Sequence, residues 1–188
     1  NFKFSQDIKY NFFPRPHFTL IDTKIFNNQN EISKIGKLKI FISLDNFHSL
    51  KKIKVKDIIF ENGNFNLNKN NYNLFLELLN KSFQDGNLII KNSNIFFKHL
   101  EDDVLFISKI FKMKYYYDQK EQKNIFYSEN EIFNIPFSIE SFFNENKKKI
   151  FSQINFNLMK IKIKNELIFD NDKKTGKSDF VFNNLKLM

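Results

Sequence analysis

Three histidines, His17, His48 and His99, are the first residues to test for chemistry, because an imidazole can ligate a metal or act as a general base near neutral pH. They stand in separate segments, with no four-residue spacing between any two and no cysteine beside them, so neither the helical two-histidine zinc pattern nor a mixed thiolate site is present. Cysteine is absent from the whole chain, which removes disulfides, thiolate nucleophiles and thiol redox chemistry together. Asp170-Asn171-Asp172 opens as a calcium loop does. Lys174 and Thr175, however, stand at the next ligand and glycine positions and Val181 at the final bidentate one, so an oxygen cage cannot close and a hairpin turn is expected. Gly176-Lys177-Ser178 copies the end of a phosphate-binding loop, yet Asn171 occupies the place of its first glycine and a strand pattern follows where a helix is needed. With no nucleophile elbow and no Ser-His-Asp order either, the residues predict no enzyme, no metal and no cofactor.

Lysine is the other chemical signal. The chain carries a formal charge of +9 and a pI near 9.5, and of its 30 basic residues Arg15 alone is arginine. Tryptophan and alanine are missing while phenylalanine reaches 26, a composition in keeping with AT-rich coding. Lys37/Lys39, Lys54/Lys56, Lys112/Lys114 and Lys160/Lys162/Lys164 alternate with other residues, most of them apolar, as on the solvated face of a sheet. Such a face could also meet an anionic lipid surface, where each lysine contributes about 1 kcal/mol. A nucleic acid is the alternative partner, with Tyr115-Tyr116-Tyr117 as a stacking platform. A single-strand site concentrates its basic groove, though, and here the lysines are dispersed.

The elements that must position these residues read as strands. Pro14 and Pro16 deny the chain a helix and start an edge or corner. Leu38, Ile40, Ile42 and Leu44 alternate with Lys37, Lys39, Phe41 and Ser43; after a possible helical turn at 45–50, Ile53 and Val55 alternate with Lys54 and Lys56, and Gly63 lets the backbone bend before Phe65 and Leu67. Tyr72, Phe75, Leu76, Leu79 and Phe83 form one helical stripe, preceded by capping asparagines at 68–71 and ended by Asp85-Gly86. From Asn87 onward the chain reads as hairpins: a strand over 88–98, a long strand over 104–117, a return over 125–143 in which Pro136 marks an edge, a bulge or a strand start, and a last strand through Phe180, Phe182, Leu185 and Leu187 after a turn over 170–177. Ile154, Phe156 and Leu158 share a face and Met159, Ile161 and Ile163 continue with shifted parity, which predicts a bulge near Leu158-Met159 or a crossing between two sheets. The fold class expected is mainly β, a β-rich α+β chain of long antiparallel hairpins forming a curved or groove-like sheet, with one principal amphipathic helix near 72–83. Residues 1–188 form a single segment of a longer protein on this reading, since the chain starts at Asn1 and its strand pattern stops at Met188. The longest aliphatic and aromatic run, Val104 to Ile107, is far short of the roughly 20 residues a membrane helix needs.

FFPRPHFTLIDTKIF, then KLKIFISLDNF, then LKKIKVKDIIFENGNFNL resembles, in order and spacing, the N-terminal part of the AsmA family of bacterial envelope proteins. Phe13-Pro14-Arg15-Pro16 holds the place of that family's proline-containing first strand, Ile53 to Gly63 that of the strand ending in an acidic-x-Gly corner, and Ile132 to Phe137 that of a later proline-marked strand. The resemblance implies a non-enzymatic, β-rich periplasmic segment, anchored in the inner membrane by a part not in this chain, that contributes to outer-membrane biogenesis and is related to bridge-like lipid-transfer proteins. Lipid or a membrane surface is the partner it implies, with other envelope proteins as further partners. Its candidate lipid-facing residues are Leu38, Ile40, Ile42, Ile53, Val55, Ile154, Phe156 and Leu158.

Overall fold

The computed structural model of the chain describes residues 2–3, 8–27, 30–43, 54–71, 86–99, 103–144, 149–170 and 173–182. They form one open sheet of twelve strands: β1 (Phe2–Lys3), β2 (Ile8–Asn11), β3 (His17–Asn27), β4 (Asn30–Ile42), β5 (Val55–Leu67), β6 (Asn87–Lys98), β7 (Val104–Asp118), β8 (Lys123–Ile132), β9 (Ile135–Asn144), β10 (Lys149–Phe156), β11 (Ile161–Asp170) and β12 (Lys173–Phe182). From β3 to β12 the spatial order is the sequence order, and the two short strands β1 and β2 share the outer edge of β3. The expected β-rich sheet of long hairpins is therefore present. Every pairing is antiparallel except β5 with β6, which is parallel. A parallel join needs a crossover of a dozen or more residues, and residues 68–86 supply it. The stripe expected to be the principal helix, Tyr72 to Phe83, falls in this crossover and lies outside the described residues, as does the possible turn at 45–50. At the exit from β5, Asn68 Oδ1 accepts from the amides of Asn70 (3.0 Å) and Asn71 (3.1 Å) in a turn; the helix these asparagines are expected to cap lies outside the described residues.

Three boundaries differ from the expectation. β10 ends at Phe156 and β11 begins at Ile161, so the parity change at Leu158-Met159 belongs to a four-residue turn and not to a bulge or a sheet crossing. Its last residue, Lys160, takes a positive φ of 54°. β12 starts at Lys173, earlier than expected, because Asp170 already pairs with Lys173. Pro136 is the second residue of β9, at a strand start, after a two-residue turn in which Phe133 and Asn134 both have positive φ, the geometry that matches the twist of a tight hairpin.

One irregularity repeats across β3 to β7. Asp22, Asn62 and Asn92 have φ of 50°, 58° and 47°. The pairs flanking them place Asp22 opposite Gly36, Gly36 opposite Asn62, Asn62 beside Asn92, and Asn92 opposite Phe111, so the five residues form one line perpendicular to the strands. A left-handed residue interrupts the pleat, and the side chains two before it and one after it then fall on the same face. In β3, β5 and β6 the inward residues accordingly change from a spacing of two to a spacing of three, from Leu20 to Thr23, Phe60 to Gly63 and Ile90 to Ser93; the same spacing in β4 and β7, Ile35 to Leu38 and Ile110 to Met113, follows from their pairing with these strands, since neither Gly36 nor Phe111 has a positive φ. Leu20, Ile35, Leu38, Phe65, Ile90 and Ile110 make the buried core, and residues of both parities, such as Phe18 and Ile25 of β3, pack against it.

Candidate functional site

The line of irregular residues folds the apolar face inward. Five residues along an extended strand span roughly 16 Å at about 3.3 Å per residue, yet the rings of Phe60 and Phe65 on β5 meet edge to face with centroids 6.3 Å apart. They converge because Gly63 leaves the space beneath: a Cβ there would lie 2.9 Å from the Phe65 ring and 3.3 Å from Ser93 Oγ. The amide of Gly63 donates to Ser93 Oγ (2.9 Å), and that hydroxyl donates to the Lys91 carbonyl (2.8 Å), which ties β5 to β6 at the bend. The result is an apolar face that runs across the strands, called the trough face below.

Register carries the trough lining on through β8 to β12. Met113, Ser128, Ile139, Ile154, Ile163 and Phe180 form one row, and Ile110, Asn130, Phe137, Phe156, Ile161 and Phe182 run beside it, with Phe137 stacked on Phe156 at 5.3 Å. A polar stripe of Ser141, Ser152, Asn165 and Ser178 runs parallel to them, Ser141 donating to Ser152 at 2.8 Å. Burial is graded along the trough. Ile35 and Ile110 are 0% and 1% exposed, Ile139, Ile154 and Ile163 are half-buried, and Phe180 and Phe182 are exposed.

Of the expected lipid-facing residues, Leu38 lies in the buried core and Ile40 packs against it. Ile154 and Phe156 line the half-buried part of the trough. Ile42 and exposed Val55 pair with each other beyond a register shift at Phe41/Ile42, away from the trough floor. Ile53 lies outside the described residues. Leu158 stands in the β10–β11 turn, 73% exposed.

The opposite, convex face is basic over β3 to β7. Lys24 is directly across from Lys34 and Lys91 from Lys112, while Lys24 is also paired with Glu31 (2.7 Å), Lys39 with Glu61 (3.1 Å) and Lys109 with Glu131 (2.7 Å). The tyrosine triplet does not make a platform, because Tyr115 is buried in the trough and Tyr116 lies on the convex face with Lys114 4.1 Å above its ring.

The histidines have separate environments. His48 lies outside the described residues and His99 is exposed. His17 is buried, stacked on Phe41 at 4.7 Å, and its Nδ1 donates to the Arg15 carbonyl at 2.7 Å. The other side of this cluster holds a feature the sequence reading did not single out. The Arg15 guanidinium sits 4.5 Å from the Phe41 ring centre and pairs with buried Asp57 at 2.8 Å, and Asn87 donates to the same carboxylate from its side chain (2.6 Å) and its amide (3.2 Å). Burial pushes the Asp57 pKa up, but the hydrogen bonds from Asn87 and Arg15 and the arginine charge outweigh it and hold the carboxyl below its ordinary value. The available signal was compositional: a lysine-rich chain keeps its one arginine where planar stacking and a directed donor are both used.

Comparison of the chain with protein-family models and with curated proteins finds no match to either.

Proposed function

We propose that this chain is a non-enzymatic, AsmA-like periplasmic segment of an inner-membrane-anchored protein and that it contributes to outer-membrane biogenesis by shielding the acyl chains of lipid along its trough. The observation that carries this reading is the in-register bend, which keeps one apolar concave lining running across strands that are otherwise independent hairpins. A lipid with two chains of about sixteen carbons gains roughly 25 kcal/mol on burial at about 0.8 kcal/mol per methylene, so its path must stay apolar; buried Ser128 and Asn130 interrupt both rows at β8, which confines the path to β9 through β12. The buried floor at β3 to β7 is filled by protein side chains, and the half-buried residues Ile139, Ile154, Phe156 and Ile163 are where acyl chains would lie. The polar stripe beside them offers hydroxyls and an amide to the ester or headgroup end of the same lipid. The periplasmic setting and the membrane anchor rest on the family resemblance.

The test is lipid extraction from the purified chain followed by mass spectrometry, with an Ile154→Asp, Ile163→Asp double variant alongside. The expected result is co-purifying acyl lipid in the parent chain and at least about a tenfold loss in the variant at unchanged circular dichroism. This expectation follows from the cost of setting charge against hydrocarbon. Equal lipid in both, or none in either after incubation with phospholipid vesicles, overturns the proposal.

A further inference from the structure

Two neighbouring turns at one end of the sheet carry apolar residues where turns ordinarily carry polar ones. The β8–β9 turn presents Phe133, 75% exposed, and the β10–β11 turn presents Leu158 and Met159, both exposed. The β7–β8 turn shows the usual chemistry: Asp118 accepts from the amides of Lys120 and Glu121. A tight turn with positive φ ordinarily takes Asn, Asp or Gly. Phe133 instead holds a φ of 50°, which a bulky side chain resists, so an aromatic tip stands there against its local cost. Its ring leans on Phe106, with centroids 6.4 Å apart, and Phe106 stacks on Phe97 at 4.3 Å. Pairing sets the two turns level. Ser138 is opposite Asn155, so Ile135, three residues before the one, stands at the height of Leu158, three residues after the other. The turns lie two strand spacings apart, about 10 Å. Ser108 is opposite Ile132, so β7 passes the same height with Leu105 and Ile107, which are exposed and share the convex parity of Lys109.

We propose that this end of the sheet docks into the surface of an anionic lipid bilayer, with Phe133, Leu158 and Met159 entering the boundary between headgroups and acyl chains. Two observations select a bilayer over a protein partner. The first is that the apolar groups at this height belong to the tips and to both faces, Phe106 on the trough side and Leu105 and Ile107 on the convex side. A protein laid on the sheet covers one face, whereas a bilayer surrounds an inserted end on every side, and the apolar area it covers sets the strength of binding. The second is charge. Segments 130–137 and 155–163 hold Lys160 and Lys162 against a single acid, Glu131, which is already paired with Lys109 at 2.7 Å. Lysine just behind an apolar tip is drawn to the negative surface potential of anionic lipid. This inference does not depend on the trough holding lipid.

Co-sedimentation of the 188-residue chain with vesicles of phosphatidylcholine and phosphatidylglycerol in equal parts tests the proposal. The tip variant is Phe133→Asn, Leu158→Asn. Asparagine suits the left-handed backbone at 133 and both positions are exposed, so circular dichroism serves as the control for an unchanged fold. The expected result is binding of the parent chain, a partition coefficient at least about tenfold lower in the tip variant, which removes two large apolar side chains from the contact, and parent-like binding by Ile154→Asp, Ile163→Asp, whose changes lie on the trough face. No binding by the parent, equal binding by the parent and the tip variant, or a trough variant as weak as the tip variant overturns it. So does self-association of the parent without vesicles that the tip variant abolishes, which would give this end of the sheet to a second copy of the chain.

Discussion

At the scale of single residues, Asp57 is the most constrained group described. Its carboxylate receives Arg15 from one side and two donors of Asn87 from the other, and it joins the β2–β3 connection to β5 and β6. Because its folded pKa lies below the unfolded value of about 3.9, the stabilisation is present above that value and is lost as the pH falls through the folded pKa. Replacing Asp57 by Ala strands the donors of Asn87 and should cost about 1–3 kcal/mol at pH 7. Urea denaturation at pH 7 and at successively lower pH should show that cost in full at pH 7 and diminishing as the pH falls through the folded pKa. A cost that did not vary with pH would place the effect in packing and not in the charge. None of this was legible from spacing, since Arg15 and Asp57 are 42 positions apart and meet only after β5 is laid beside β4.

At the scale of elements, alternation made most strands legible, and it failed where the pleat is interrupted. A template of period two ends a strand at each three-residue gap. That is why the alternation reads only from Lys37 onward and Gly63 as a bend, although β4 runs from Asn30 to Ile42 and β5 from Val55 to Leu67 without a break. The missing signal was the recurrence of the same gap in five successive strands, beside Asp, Gly or Asn in four of them. The one parity change that was read, at Leu158-Met159, is an ordinary turn. The bend itself makes a prediction. Asn62 and Asn92 hold left-handed backbone that glycine adopts freely and a β-branched residue resists, at roughly 1–2 kcal/mol per residue. Asn62→Val and Asn92→Val should each lower stability by about that amount in urea titrations, while Asn62→Gly and Asn92→Gly should stay within about 0.5 kcal/mol of the parent chain. If valine were tolerated as well as glycine, the left-handed line would not be what shapes the trough.

At the scale of the whole molecule, a single sheet has one face committed to an apolar concavity and the other to lysine and its acidic partners. The β-rich sheet of long hairpins was anticipated, but the line of irregular residues across it was not, because that line depends on irregularities aligned by pairing and no local window contains the alignment. The proposed function has acyl chains lying along the face that carries Phe156. The chain has no tryptophan, so one placed at Phe156 reports on the trough and one placed at Tyr127 reports on the convex face. Quenching of each by phospholipid brominated along its acyl chains measures the claim directly. The account predicts strong quenching for Phe156→Trp and little for Tyr127→Trp; equal quenching at the two positions, or none at Phe156→Trp, would contradict it.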